Sequence, residues 1–253
     1  MDFPNKLIKR DETNQTVVKA IQKRLNELGC GPIGVDGDFG LKTFQAVKLF
    51  QSRFSDTNKN PLKVDGIIGA VSWAVLFGVS SVPSTTPTQN PLFRRVLEIA
   101  SGEVGVMENP IGSNAGQRVE EYLNSVNFNA GAAWCVAFLY FCFEKASQEL
   151  GVLNPLVKTA GVLDLWNRAT CRKIKVPSFV NNPSLVKPGH IFIISTGGGF
   201  GHAGIVESVE GGFMTTIEGN SNNNGSREGT GVFRRVNARK INTINRGFLD
   251  FSA

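Results

Sequence analysis

The chain has 253 residues, of which 41% are hydrophobic and 19% are charged, a composition typical of globular proteins rather than disordered ones. Its formal net charge of +6 favours a polyanionic partner such as nucleic acid, an anionic membrane or a cell wall. The basic residues are scattered, with only short pairs such as Arg234-Arg235 and Arg239-Lys240, and they are not interleaved with aromatic residues. We therefore do not expect nucleic acid to be the partner.

The four cysteines are Cys30, Cys135, Cys142 and Cys171. They form no C-x-x-C pair, so we expect neither a zinc site nor a dense disulfide framework. We also expect no other metal and no cofactor. No run of apolar residues approaches the length of a membrane span, so stable membrane insertion is not expected. The N-terminal segment lacks the apolar region of a secretory signal. We therefore expect synthesis in the cytoplasm without a Sec signal.

Residues 14–78 contain an internal repeat. Both copies read V-D-G-x-x-G, at 35–40 and 64–69, and a hydroxyl residue follows three positions later, as Thr43 or Ser72. Asp-Gly favours a tight turn, and we expect the hydroxyl residue where a helix begins. Apolar residues at helical spacing predict one helix before the first copy and one after each copy. The sequence therefore predicts a small three-helix module.

The motifs of this module resemble the peptidoglycan-binding domain of cell-wall hydrolases. The residues that carry the resemblance are Gln22, Leu25, Asn26, Leu28, Gly29, Asp36, Gly37, Phe39, Gly40, Thr43, Ala46, Val47, Phe50, Gln51, Val64, Asp65, Gly66, Gly69, Ser72 and Trp73. The resemblance implies that residues 10–79 bind bacterial peptidoglycan. It does not locate the binding groove, because most of these residues are of the kind that builds a fold.

Residues 80–91 are rich in Ser, Thr and Pro and have no apolar periodicity. Such a composition is typical of a semi-extended spacer between domains. We therefore predict a linker here, followed by a C-terminal domain over residues 92–253.

The C-terminal domain is predicted to begin with helices and to end with strands. Helices are expected from Phe93, over 118–124 and over the strongly apolar run 135–143, which belongs in a core. The predicted strands are 190–195, 202–209, 213–218, 232–236 and 246–251. This order indicates an α+β domain in which the apolar helix packs against an antiparallel sheet.

Cys135 is predicted to lie in the first turn of the apolar helix. The positive end of the helix dipole favours the nucleophilic thiolate there, and an inert core cysteine is the alternative. A nucleophilic cysteine needs a base, and the chain has two histidines, His190 and His202, each at the start of a predicted strand. An acceptor must hold the imidazole, and Glu218 or Asn220 at the end of the following strand is a candidate.

The C-terminal motifs resemble the CHAP domain, a cysteine- and histidine-dependent amidohydrolase/peptidase of papain-like fold. The matching pieces are WCVAF at 134–138, PGHI at 188–191, GHAGIV at 201–206 and IEGN at 217–220. The resemblance implies that Cys135 is the nucleophile, His202 the base and Glu218 the orienting residue, with Asn220 close by.

The chain departs from the family pattern at two points. His190 stands where the family usually has Asp, and we interpret it as a residue of the strand start, with a second catalytic imidazole as the alternative. The dense Asp cluster with which some members bind calcium is absent upstream of Cys135, so we predict no calcium site.

Together, the two resemblances imply an endolysin-like, monomeric peptidoglycan hydrolase that cleaves a cell-wall amide through a thioester. The bond is left open between that of an N-acetylmuramoyl-L-alanine amidase and that of a peptide endopeptidase. The backbone N–H of Cys135 is expected to bind the oxyanion, with Asn129 as the candidate second donor. Alternatives are a non-catalytic cell-wall-binding protein and an acyltransferase. The enzyme is expected to reach the wall as a phage endolysin after release or as an injected antibacterial effector.

Overall fold

The structure is a computed structural model that describes residues 1–222 and 229–252. The chain divides into two compact units. One unit comprises Met1–Ser84, Val180–Ser184 and Glu210–Phe213, and the other comprises Thr85–Phe179, Leu185–Val209 and Met214–Ala253. No helix in the described ranges is long and apolar enough to cross a lipid bilayer.

Helices dominate the first part of the chain and strands the last part. The α-helices are α1 Gln15–Glu27, α2 Leu41–Arg53, α3 Ala70–Phe77, α4 Pro91–Gly102, α5 Gln117–Ser125, α6 Cys135–Leu150, α7 Val162–Arg168 and α8 Val176–Asn181. The strands are β1 Arg172–Lys175, β2 Ile191–Gly197, β3 Phe200–Glu210, β4 Phe213–Ser221, β5 Gly231–Lys240 and β6 Gly247–Asp250. The predicted α+β class is confirmed.

The N-terminal unit contains the three predicted helices. The side chain of Asn14 accepts a hydrogen bond from the backbone N–H of Val17 and caps α1. α2 and α3 instead begin directly after the extended glycines Gly40 and Gly69. Thr43 lies where α2 begins, as predicted, but it is the third residue of the helix and not its cap, and its hydroxyl donates to the carbonyl of Asp38 at 2.9 Å. Ser72 has the matching position in α3.

A buried glutamine closes the turn of each repeat. Gln22 is 1% exposed, and its Nε2 donates to Asp36 Oδ1 at 2.7 Å while its Oε1 accepts from the backbone N–H of Gly37 at 2.9 Å. Gln51 makes the equivalent contacts in the second copy, donating to Asp65 Oδ1 at 3.1 Å. The repeat therefore extends beyond the V-D-G motif to a glutamine on the preceding helix.

The segment predicted as a linker, residues 80–91, contains ordered backbone contacts. Residues Val79–Ser81 form a short 3-10 turn. Thr85 is hydrogen-bonded to β3, since its backbone N–H donates to the carbonyl of Val209 at 3.0 Å and its hydroxyl accepts from the N–H of Val209 at 2.8 Å. This end of the segment is thus held against the sheet.

The second unit is built on α6 and a six-stranded sheet in the order β1-β6-β2-β3-β4-β5. The β2–β3 and β2–β6 pairs are antiparallel, with Ile194 opposite His202 and Ile191 opposite Leu249. α6 and the inner faces of the sheet share one apolar core. A Cβ at Gly219 would lie 2.6 Å from the Cβ of Phe138, so β4 passes α6 at a distance that requires glycine.

Two α-helices and one strand in the second half of the chain were not predicted. They are α7, α8 and the edge strand β1. In β1 only Ile174 is buried, and one apolar residue shows no alternation from which a strand can be recognised.

We expect Gln22→Ala to lower the free energy of unfolding of the N-terminal unit by about 1–3 kcal/mol, because it removes the partners of the buried groups of the turn. Thermal unfolding of the full chain measures the change. Gln45→Ala is the matched control, since Gln45 is an exposed glutamine of α2. Equal effects of the two substitutions would contradict the role given to Gln22.

Candidate active site

Cys135 is the first residue of α6, and Trp134 is the residue before the helix. The position agrees with the predicted first turn. Backbone N–H groups in a first turn have no acceptor within the helix, and they carry the positive end of its dipole. Cys135 is 2% exposed. A group that reaches its sulfur therefore enters a confined space beside a positive helix end.

His202 lies on β3 between Cys135 and Glu218. Its Nε2 is 2.8 Å from Glu218 Oε2, and its imidazole is also hydrogen-bonded to the Cys135 side chain. The His202 side chain is 21% exposed. The structure thus brings three of the predicted site residues into one line.

The environment of His202 favours its protonated form. Burial by itself disfavours a charged imidazole, but the hydrogen bonds and charges of Cys135 and Glu218 outweigh it and raise the pKa of His202 to about 9. A raised pKa means that the imidazolium stabilises the folded state. That contribution is present in full below the ordinary pKa of 6.5 and is lost as the pH rises through about 9.

The Glu218 carboxylate is completely buried and surrounded by donors. Arg239 reaches it with two groups, Nε to Oε1 at 2.5 Å and an Nη to Oε2 at 2.6 Å. The hydroxyls of Thr216 and Ser221 donate at 2.6 and 3.1 Å. Burial opposes the charged form, but the hydrogen bonds from Arg239 and His202 hold the pKa of Glu218 well below its usual range. His202 therefore faces a fixed negative charge.

Arg239 is itself fixed by its surroundings. Its guanidinium lies 4.9 Å from the centroid of the Phe192 ring, and that ring lies 5.9 Å from the His202 ring. The Arg239 guanidinium, which neutralises Glu218, and the His202 imidazole, which Glu218 orients, therefore both pack on the Phe192 ring.

Asn220 lies near this line but points elsewhere. Its Nδ2 donates to Asn114 Oδ1 at 2.9 Å and to Glu108 Oε1 at 3.3 Å. Its backbone is left-handed, with φ of 51°, which is uncommon for a residue with a side chain and is found at functional sites. Of the two candidates for holding His202, Glu218 makes the contact.

His190 lies outside this cluster. It faces Val206 across the sheet, four residues along β3 from His202 or about 13 Å away. It is buried, with Nε2 3.4 Å from Asp250 Oδ1 and Nδ1 accepting from the backbone N–H of Lys187. The hydrogen bond from His190 lowers the pKa of Asp250 below its usual range. The geometry favours the interpretation of His190 as a structural residue of the strand start.

Sequence reasoning missed Arg239 and Glu108. Arg239 is one of the scattered basic residues of the sequence, but it lies on the same face of β5 as Arg235 and Asn237, at a period of two. That period could have indicated a cation on the less exposed face of the strand. Glu108 lies in a segment without periodicity, and no sequence signal points to it. Among the described residues, no group of three or more His, Cys, Asp or Glu side chains is placed to hold a metal ion.

Two family models match the chain. Residues 127–220 match the CHAP domain, and residues 14–76 match the "Putative peptidoglycan binding domain", which confirms the predicted arrangement. CHAP domains are generally peptidoglycan hydrolases. The two matches support a cell-wall hydrolase or cell-wall-binding protein with peptidoglycan as its substrate or partner. No curated protein and no solved structure gives a significant match to the chain.

We expect Arg239→Met to lower the free energy of unfolding by about 3–5 kcal/mol, because it leaves the Glu218 charge buried without its cation. Chemical denaturation of the full chain measures the loss. Arg234→Met is the matched control on the same strand, because Arg234 pairs with the part-exposed Glu207 and such pairs contribute about 0–1 kcal/mol. A loss no larger than that of the control would contradict the central role of Arg239.

We expect the His202 imidazole to titrate near pH 9 and to titrate at lower pH in Cys135→Ala, because the substitution removes a partner that favours the imidazolium. NMR spectra of the ring protons measure both midpoints, and the chain has only one other histidine. An unchanged midpoint in the variant would show that the thiol and the imidazole do not interact.

Proposed function

We propose that this chain is a cysteine-dependent hydrolase that cleaves an amide bond of bacterial peptidoglycan. The proposal rests on one observation above all. The thiol at the start of α6 is hydrogen-bonded to an imidazole whose Nε2 lies 2.8 Å from a buried carboxylate. A nucleophile, a base and a residue that orients the base are the groups that acyl transfer through a covalent intermediate requires.

In the first half of the reaction, the thiolate of Cys135 attacks the carbonyl carbon of the amide. A C–S bond forms, and the carbonyl oxygen becomes an oxyanion. When this intermediate collapses, the C–N bond breaks and the His202 imidazolium gives its proton to the departing amine. The products of this half are a free amine and a thioester on Cys135.

In the second half, the neutral His202 takes a proton from water, which attacks the thioester carbonyl. A C–O bond forms, the C–S bond breaks, and the acid product leaves. Glu218 holds the imidazole in the same orientation in both halves and stabilises the imidazolium each time it forms.

The backbone N–H of Cys135 is the first donor we assign to the oxyanion. It belongs to the first turn of α6, where such groups point away from the helix and favour negative charge. Removing one donor of this kind typically slows catalysis by about 10²–10³-fold. Asn129, in the exposed segment before α6, remains our candidate for the second donor.

The scissile bond is either that between N-acetylmuramic acid and L-alanine or one within the stem or bridge peptides. Both are amides, and the line of Cys135, His202 and Glu218 serves either. Mass spectrometry of the muropeptides released from purified walls distinguishes them, because only an amidase separates the sugar from the peptide.

We propose that the enzyme works as a monomer and reaches the wall after release or injection.

The rival function is wall binding without catalysis. Iodoacetamide labelling near neutral pH separates the two, because burial raises the pKa of the other three thiols, that of Cys30, that of Cys142 and, to about 11, that of Cys171. Rapid labelling therefore reports on Cys135.

An acyltransferase would instead form new amides when amines are added to the digestion.

We expect Cys135→Ala and His202→Gln each to lower the rate of wall hydrolysis by about 10⁴-fold or more, with sedimentation on purified walls unchanged because binding is assigned to the N-terminal module. Turbidity of a wall suspension measures the rate.

Cys171→Ala and His190→Gln are the matched controls, one for each residue type, and we expect both to clear walls at a rate near that of the wild type. Full clearing by Cys135→Ala would overturn the proposed function.

A further inference from the structure

We propose that Glu108 is a positioning residue for this reaction. It joins the segment before α5 to the start of α6, which carries Cys135, and to Asn220 at the end of β4. The inference rests on the proposed function and assigns a role to a residue that contacts none of Cys135, His202 and Glu218 in the interactions described above.

The Glu108 side chain is 2% exposed and accepts hydrogen bonds from three separate segments. Oε1 accepts from the indole Nε1 of Trp134 at 2.9 Å and from Nδ2 of Asn220 at 3.3 Å. Oε2 accepts from the backbone N–H of Gly112 at 2.9 Å. These are three neutral N–H donors from three parts of the chain, converging on one buried carboxylate.

The backbone of Glu108 is also fixed. Its N–H donates to the carbonyl of Thr230 at 2.9 Å, and the preceding residue, Met107, forms an antiparallel bridge with Gly231 at the start of β5. The backbone of Glu108 is therefore fixed to the sheet, and the hydrogen bonds of its side chain fix Trp134 and Asn220 relative to the sheet.

The donor set explains why a carboxylate is needed. An ionised carboxylate has only acceptors, so both of its oxygens can face N–H groups. A glutamine in the same place turns an NH₂ group either toward Gly112 or toward Trp134 and Asn220, where donor would meet donor.

Glu108 fixes which way the Asn220 amide faces. Nδ2 of Asn220 donates to Glu108 and to Oδ1 of Asn114. A flipped amide would place its oxygen against two acceptor oxygens, so this orientation is enforced. The Asn220 carbonyl branch is consequently turned away from Glu108, and we assign to it the role of acceptor for an N–H of the peptide substrate.

Glu108 fixes the start of α6 through Trp134. The indole is fully buried and stacks on Tyr122 with ring centroids 5.6 Å apart, and the hydrogen bond to Glu108 sets its remaining rotation. The approach to the helix is held as well, since the N–H of Gly131 donates to the carbonyl of Asn114 at 2.9 Å. The residue that precedes the nucleophile thus has no freedom to turn.

The test compares Glu108→Gln with Glu103→Gln in the full chain. Glu103 is a second acid upstream of α5, part-buried with its side chain 12% exposed, but it accepts from Arg118 and Tyr122 and joins α4 to α5 only. For each variant we would measure kcat and KM on solubilised wall fragments, the rate of Cys135 alkylation by iodoacetamide and the thermal midpoint.

We expect Glu108→Gln to lower kcat by up to about 10²-fold, the size of effect that a displacement of about 1 Å produces. KM should change much less. The alkylation rate should stay near that of the wild type, because iodoacetamide is a small reagent whose reaction requires neither the Asn220 amide nor the exact placement of the start of α6. Glu103→Gln should lower the thermal midpoint while kcat stays near the wild-type value.

If Glu108→Gln has the kcat of the wild type, the inference is overturned. It is also overturned if Glu103→Gln loses as much kcat as Glu108→Gln while the two variants have the same thermal midpoint. If Glu108→Gln does not fold, Trp134→Phe is the second variant, since it removes the indole N–H; an unchanged kcat there also overturns the inference. If Cys135→Ala is inactive and Glu108→Gln is fully active, this inference fails alone, whereas activity in Cys135→Ala removes the proposed function itself.

Discussion

The buried negative charge of Glu218 is the constraint on which the rest of the site depends. A carboxylate taken out of water is stable only when donors replace its hydration. Arg239, Thr216, Ser221 and His202 supply those donors. Each belongs to a strand or strand end of the same sheet, so the sheet must form in one register before the charge can be buried. Because His202 is one of these donors, its imidazole is oriented by the hydrogen bond to Glu218.

Two buried carboxylates serve this site in different ways. Glu218 faces a cation and an imidazole, and the result is an electrostatic field directed at His202. Glu108 accepts hydrogen bonds from neutral N–H groups of three segments, and it thereby holds these segments together. Glu218 controls the protonation of His202, and Glu108 controls the positions of the start of α6 and of Asn220.

The sequence was informative where local patterns carry the structure. The V-D-G repeats, the apolar run from Cys135 and the strands that contain His202 and Glu218 were all recognisable from period and turn chemistry. Arg239 was not, because its partner lies on a neighbouring strand and the register between strands leaves no mark on a single sequence. The caps of α2 and α3 are not the predicted hydroxyl residues, because glycine, rather than a hydroxyl side chain, precedes each helix.

The spacing of the buried contacts has a consequence for how the chain folds. Each glutamine that closes a repeat lies 14 residues from the aspartate it binds, so those contacts form within short loops that close at little entropic cost. Asn220 and Glu108 are 112 residues apart, and their contact requires α6 and the sheet to be in place. Because chains rich in local contacts fold faster, we expect the N-terminal module to reach its native state first. The candidate active site, with its distant partners, is then completed among the last parts of the molecule.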